Sequence, residues 1–95
     1  MLIKTPDHAG SREQAQEITR TLPTDLKGKA VVLDCSTLLV GTPSFMDEIV
    51  KQILKQRDAA RLEVRGAPER ARELLERAAD NRGVRDRLRI AVPAR

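Results

Sequence analysis

Apolar residues along this chain fall into two kinds of pattern: short runs or alternations, and longer helical stripes. The run Ala30-Val31-Val32-Leu33-Asp34-Cys35 is largely apolar and holds two β-branched valines. Such a run predicts a strand buried on both faces, hence a central strand covered by helices. Arg61-Leu62-Glu63-Val64-Arg65 alternates strictly and predicts a half-exposed strand. Leu88, Ile90 and Val92 alternate again and predict a last strand ending at Pro93, while Leu2 and Ile3 predict a short first one.

Three helical stripes separate these runs. Ser11-Arg12-Glu13-Gln14 has the form of a capping box, and Ala15, Ile18 and Leu22 then share one face before Pro23 closes a helix of about three turns. Thr42 is suited to cap the next helix, with Pro43 at its first position, where no N–H is needed. Phe45, Met46, Ile49, Val50, Ile53 and Leu54 follow as the strongest amphipathic signal in the chain. Gly66 breaks the strand before it, Pro68 fits the first turn of a third helix, and Ala71, Leu74, Leu75, Ala78 and Ala79 form its inner stripe. The order β-α-β-α-β-α-β predicts an α/β fold in one domain over residues 1–95, a single-layer mixed, mostly parallel sheet of about four strands with about three helices.

Composition adjusts this picture in a few places. With 95 residues, 40% hydrophobic and 34% charged, the chain supports one core under a heavily ionised surface. Phe45 is the sole aromatic residue, which removes the stacking platform used by single-strand nucleic-acid binders. No apolar run approaches the roughly 18 residues of a membrane span, so no membrane is expected. Residues 1–10 do not read as a signal peptide, and the lone Cys35 fits a reducing, cytoplasmic compartment. One cysteine and one histidine give no Cys/His metal cluster, so no metal and no cofactor is expected.

The net charge of +4 comes entirely from residues 57–95, with eleven arginines against seven acids. Arg72/Glu76 and Glu73/Arg77 stand at i,i+4, the spacing of ion pairs on a solvated helix face. The alternative is weak, sequence-independent nucleic-acid binding through Arg82, Arg85, Arg87 and Arg89.

Chemistry concentrates where the central strand turns into the second helix, because ligands and partners of open α/β sheets meet the carboxyl ends of strands. Ser36, Thr37, Thr42 and Ser44 cluster there as hydroxyls. Gly41 has no second glycine and no Lys-Ser/Thr pair, so this is no nucleotide-binding loop. Ser44 lacks a histidine in its segment, and Cys35 reads as core. Asp47 and Glu48 are expected to complement the positive end of the helix.

These residues resemble a known family. Val31-Val32-Leu33-Asp34-Cys35-Ser36, a short hydrophobic loop, and then Thr42-Pro43-Ser44-Phe45-Met46-Asp47-Glu48 resemble the core of a STAS-like domain of unknown function from prokaryotes. The "LDFS" strand and "SF-x-DE" helix of that family are the closest patterns, and Ser11-Arg12-Glu13-Gln14-Ala15 is similar to its "SRE-x-A" helix opening. Distant relatives in that family are anti-sigma factor antagonists, which bind a kinase-type partner and are switched by serine phosphorylation. Here Thr42 falls where the aspartate of the phosphoacceptor motif would be and Pro43 where the modified serine would be, with Ser44 one position later.

The resemblance implies a non-enzymatic regulatory or protein-interaction domain, in a partner-switching or signalling system. It also implies a protein partner such as a kinase-like ATPase or another regulator. The expected partner-binding or phosphoacceptor region is the 36–44 loop with Ser36, Thr37, Thr42 and Ser44, joined by Asp47, Lys51 and Lys55 on the following helix.

Overall fold

The computed structural model describes residues 1–91. Four strands, β1 (Leu2–Lys4), β3 (Ala30–Asp34), β5 (Arg61–Arg65) and β6 (Leu88–Ile90), form one sheet in the order β1-β3-β5-β6, parallel throughout. A second, two-stranded parallel ladder joins β2 (His8–Ala9) to β4 (Val40–Gly41). The helices are α1 (Arg12–Thr19), α2 (Pro43–Val50), which continues as a π-helical stretch over Lys51–Gln56, and α3 (Glu69–Asn81). Each step from one main-sheet strand to the next moves the same way across the sheet. Right-handed crossovers therefore put all three helices on one face.

That winding corrects the expectation for β3. Val31 and Leu33 are fully buried under the helices, but Ala30, Val32 and Asp34 on the other face are only half-buried. The uncovered face carries Lys4, Asp34 and Arg65 side by side in one row, and Leu2, Val32, Glu63 and Arg89 in the next. Parallel sheets usually need cover on both faces. Here alternating charge lets water serve instead. Val92 and Pro93, expected to complete the last strand, lie outside the described residues.

The helix layer is fixed by its caps and its apolar stripe. Ser11 and Gln14 close the capping box of α1, but the helix runs only to Thr19, shorter than its apolar spacing predicted. Thr19 faces the core with its hydroxyl donated to the Ala15 carbonyl (2.9 Å), and Leu22 reaches the core from the loop beyond, while Ile18 is only partly buried. In α2, Thr42 accepts from the Phe45 N–H and Pro43 opens the helix. All six stripe residues from Phe45 to Leu54 are buried. Their repeat of four residues would drift by about 40° per turn on an α-helix at 100° per residue. A wider π turn, bonded i→i+5, takes that drift out. Pro68 stands just before α3 and not inside its first turn.

Candidate functional site

The 36–44 loop leaves the carboxyl end of β3 and is stitched down by backbone hydrogen bonds. Cys35 N–H donates to the Arg65 carbonyl (2.8 Å) and Ser36 N–H to Asp34 Oδ1 (2.9 Å). Leu39 and Val40 N–H both donate to the Asp7 carbonyl (2.8 and 3.0 Å), and Thr42 N–H donates to the Ala9 carbonyl (2.9 Å). Gly66, at φ 70°, lets the β5–α3 turn press against Ser36, where a Cβ would sit only 3.0 Å from its Cα. Leu38 is buried as an anchor. Its neighbours point the other way: Leu39 is 71% exposed and Val40 52%. With the start of α3 at Pro68, Arg70 and Ala71, they border a cleft of about 180 Å³.

The expected site residues divide into two groups. Ser36, Thr37 and Ser44 are exposed at this end of the molecule, with Thr42 half-buried among them as the helix cap. Ser44 also opens onto a cleft of about 170 Å³ shared with Arg12, Asp47, Leu74, Arg77 and Asn81. Asp47 and Lys51 are half-buried along the helix, and Lys55 is exposed two turns from Asp47, roughly 12 Å along the axis. The loop and its hydroxyls come together, whereas Lys55 stands apart.

Asp47 and Glu48 do not complement the helix N-terminus, which corrects the sequence expectation. Asp47 is clamped by Arg82, Nε and Nη2 each at 2.8 Å, and by Arg12 Nη1 at 2.9 Å. The Arg82 hydrogen bonds lead in holding its carboxyl down at about 2. Glu48 is 1% exposed and accepts from Gln52 (2.7 Å), Gln16 (3.2 Å) and Arg12 (3.2 Å), with Lys51 at 3.8 Å. Burial pushes its pKa up, and these donors more than offset that, so it stays below the usual range. Arg12 and Arg82 are each 35 residues from Asp47 along the chain. No local pattern announced them.

The arginine-rich stretch is likewise engaged within the fold. Arg85 pairs with Glu76 (3.2 Å) and Arg87 with Asp58 (2.9 Å), and Arg89 donates to the Asp86 and Leu88 carbonyls. The expected Arg72/Glu76 and Glu73/Arg77 pairs do not form, since Glu76 turns to Arg85 and Glu73 to Arg70 (3.7 Å). Burial raises the Cys35 thiol to about 12, the behaviour of a core residue. Among the described residues no group of three or more His, Cys, Asp or Glu side chains could hold a metal, and no helix is long and apolar enough to cross a membrane.

What the geometry offers is therefore a rigid loop presenting adjacent apolar side chains and hydroxyls. No protein-family model matches the chain, and no curated protein or solved structure matches it. The class that the fold defines is a parallel α/β domain with its helices on one face of the sheet.

Proposed function

We propose that this chain is a protein-interaction domain of STAS-like type that docks a regulatory partner through the 36–44 loop. The observation that carries this reading is the exposure of Leu39 and Val40 on a backbone held by four strand and loop elements. Exposed neighbouring aliphatics cost solvation, and a rigid loop loses little entropy when it binds. Leu39 and Val40 supply apolar contact, and the exposed hydroxyls of Ser36, Thr37 and Ser44 lie within a few residues of them along the chain, the composition of an interface core and rim. Asp47 supports this surface by tying α2 to Arg12 and Arg82, and Lys51 lies one turn further along the same helix.

The motif resemblance adds the kind of partner, a kinase-like ATPase or another regulator of a partner-switching system. Ser44, exposed beside Arg12 and Arg77, is the hydroxyl in this region that such a partner would reach. The test is affinity capture from the native host with wild-type, Leu39→Glu and Val40→Glu proteins of matched melting temperature. A partner retained by wild type and lost from both variants supports the reading. A partner held equally by all three proteins removes the loop from the interface.

A further inference from the structure

Another cavity, of about 540 Å³, lies between α3 and the edge strand β6, and shares no lining residue with the loop's cleft. Glu69, Arg72, Glu73 and Glu76 line it from the helix, Leu88 and Ile90 from the strand, and Arg85 and Arg89, both already bonded within the fold, complete its border. Its carboxylates are partly spoken for, Glu76 by Arg85 and Glu73 by Arg70. Arg72 is different. The residue is half-buried, its Nε is shielded from water without a hydrogen-bond partner, and its guanidinium makes no ion pair within 4.0 Å among the described residues. A guanidinium stays charged at any ordinary pH, so shielding it unpaired costs free energy that an anion in the groove would offset.

The strand beside it has open hydrogen-bonding groups. Ala91 turns its N–H to the Val64 carbonyl (2.9 Å), so Ile90, one residue earlier, turns its N–H and C=O to the outer side. Leu88 is guarded: its N–H donates to the Arg85 carbonyl and its own carbonyl accepts from Arg85 and Arg89 side chains. Ile90 has no such guard among the described residues. Natural edge strands are usually blunted by charge, bulge or cover. We infer that this groove binds an extended peptide segment of a partner protein, which pairs with β6 at Ile90 and places an acidic side chain against Arg72. Main-chain pairing would supply affinity and the carboxylate would supply selection.

The experiment titrates isotope-labelled protein with two strand-forming decapeptides, rich in Thr and Val and identical except for a central Asp or Lys. The Asp peptide is expected to shift the amide resonances of residues 88–91 and to slow exchange of the Ile90 amide, with the Lys peptide about tenfold weaker or more. Arg72→Gln should bring the Asp peptide down to the level of the Lys peptide. Ile90→Pro removes the outward N–H but spares the Arg89 and Ala91 donors facing β5, so it should abolish both interactions. Because Ile90 also packs on the core, the melting temperature falls somewhat, and unshifted amide resonances away from β6 verify that the fold is kept. Equal binding to Arg72→Gln, shifts confined to Leu39 and Val40, or no binding of either peptide at millimolar concentration would overturn the inference. So would a wild-type dimer that Ile90→Pro converts to monomer, because a second copy would then be the occupant. The loop reading stands or falls separately, since Leu39→Glu leaves this groove intact.

Discussion

Asp47 on α2 and Arg72 on α3 are both half-buried charges of the helical layer, yet Asp47 meets two guanidinium groups and Arg72 meets no carboxylate among the described residues. Around Asp47 the helices converge over the core, and Glu48 beneath it is sealed by Gln16, Gln52 and Arg12. Around Arg72 the layer opens instead onto the edge of the sheet. A buried charge with its partners is accounted for by the fold that holds it. One without them is not, and that contrast separates a side of this molecule whose charges are paired from one where a charge is left open.

The sharpest way to break the comparison is to remove what lies under the Asp47 side. Phe45 is fully buried at the start of α2, and Phe45→Ala should cost about 3–5 kcal/mol. For a domain of this size that lowers the melting temperature by at least about 12 °C, read by thermal denaturation. A shift of a few degrees would mean the ring is not the keystone of this side. Glu48→Ala comes next, at about 2–3 kcal/mol, because it strands the amide donors of Gln16 and Gln52 along with one Arg12 contact. Urea midpoints measure it, and a loss below about 0.5 kcal/mol would argue that the network is incidental.

The Asp47 clamp has a pH signature of known sign. Its pKa is near 2 in the folded protein against an ordinary 3.8, so folding favours the ionised form. That stabilisation is fully present above about pH 4 and is lost as pH falls toward 2. The stability gap between wild type and Asp47→Asn should therefore be constant near neutrality and shrink between pH 4 and 2. A gap unchanged at pH 2 would show that charge is not what the clamp uses. The smallest effect belongs to the open side. Arg72→Gln and Ser44→Ala should each change stability by less than about 0.5 kcal/mol, by chemical denaturation. A larger loss in Arg72→Gln would place that arginine with Asp47 as a structural residue.

Much of the framework was legible in local residues. The capping box at Ser11 and Gln14, the Thr42-Pro43 helix start, and the stripe from Phe45 to Leu54 all formed because each depends on neighbours a few positions apart. α1 ends earlier than its apolar spacing predicts, because Leu22 is apolar and at helical spacing yet reaches the core from a loop after the helix has ended. The i,i+4 pairs on α3 failed for a related reason. Arg70 and Arg85 offered Glu73 and Glu76 other partners, and Arg85 arrives from beyond the helix.

The sequence alone determined the four main-sheet strands, the three helices, the parallel α/β class and the loop in which hydroxyls gather, since periodicity, caps and turns are properties of adjacent residues. The short ladder of His8–Ala9 with Val40–Gly41 joins segments distant in sequence and had no local signal. Only the tertiary structure decided that one face of the sheet stays bare, because that depends on every crossover stepping the same way. It also decided which charges are satisfied. Asp47 found Arg12 and Arg82 across 35 residues in each direction, and Arg72 found no carboxylate among the described residues, although a local partner stood one helical turn away. Coulomb attraction acts through space, and the order of residues along a chain does not fix which of them the folded backbone will bring within reach.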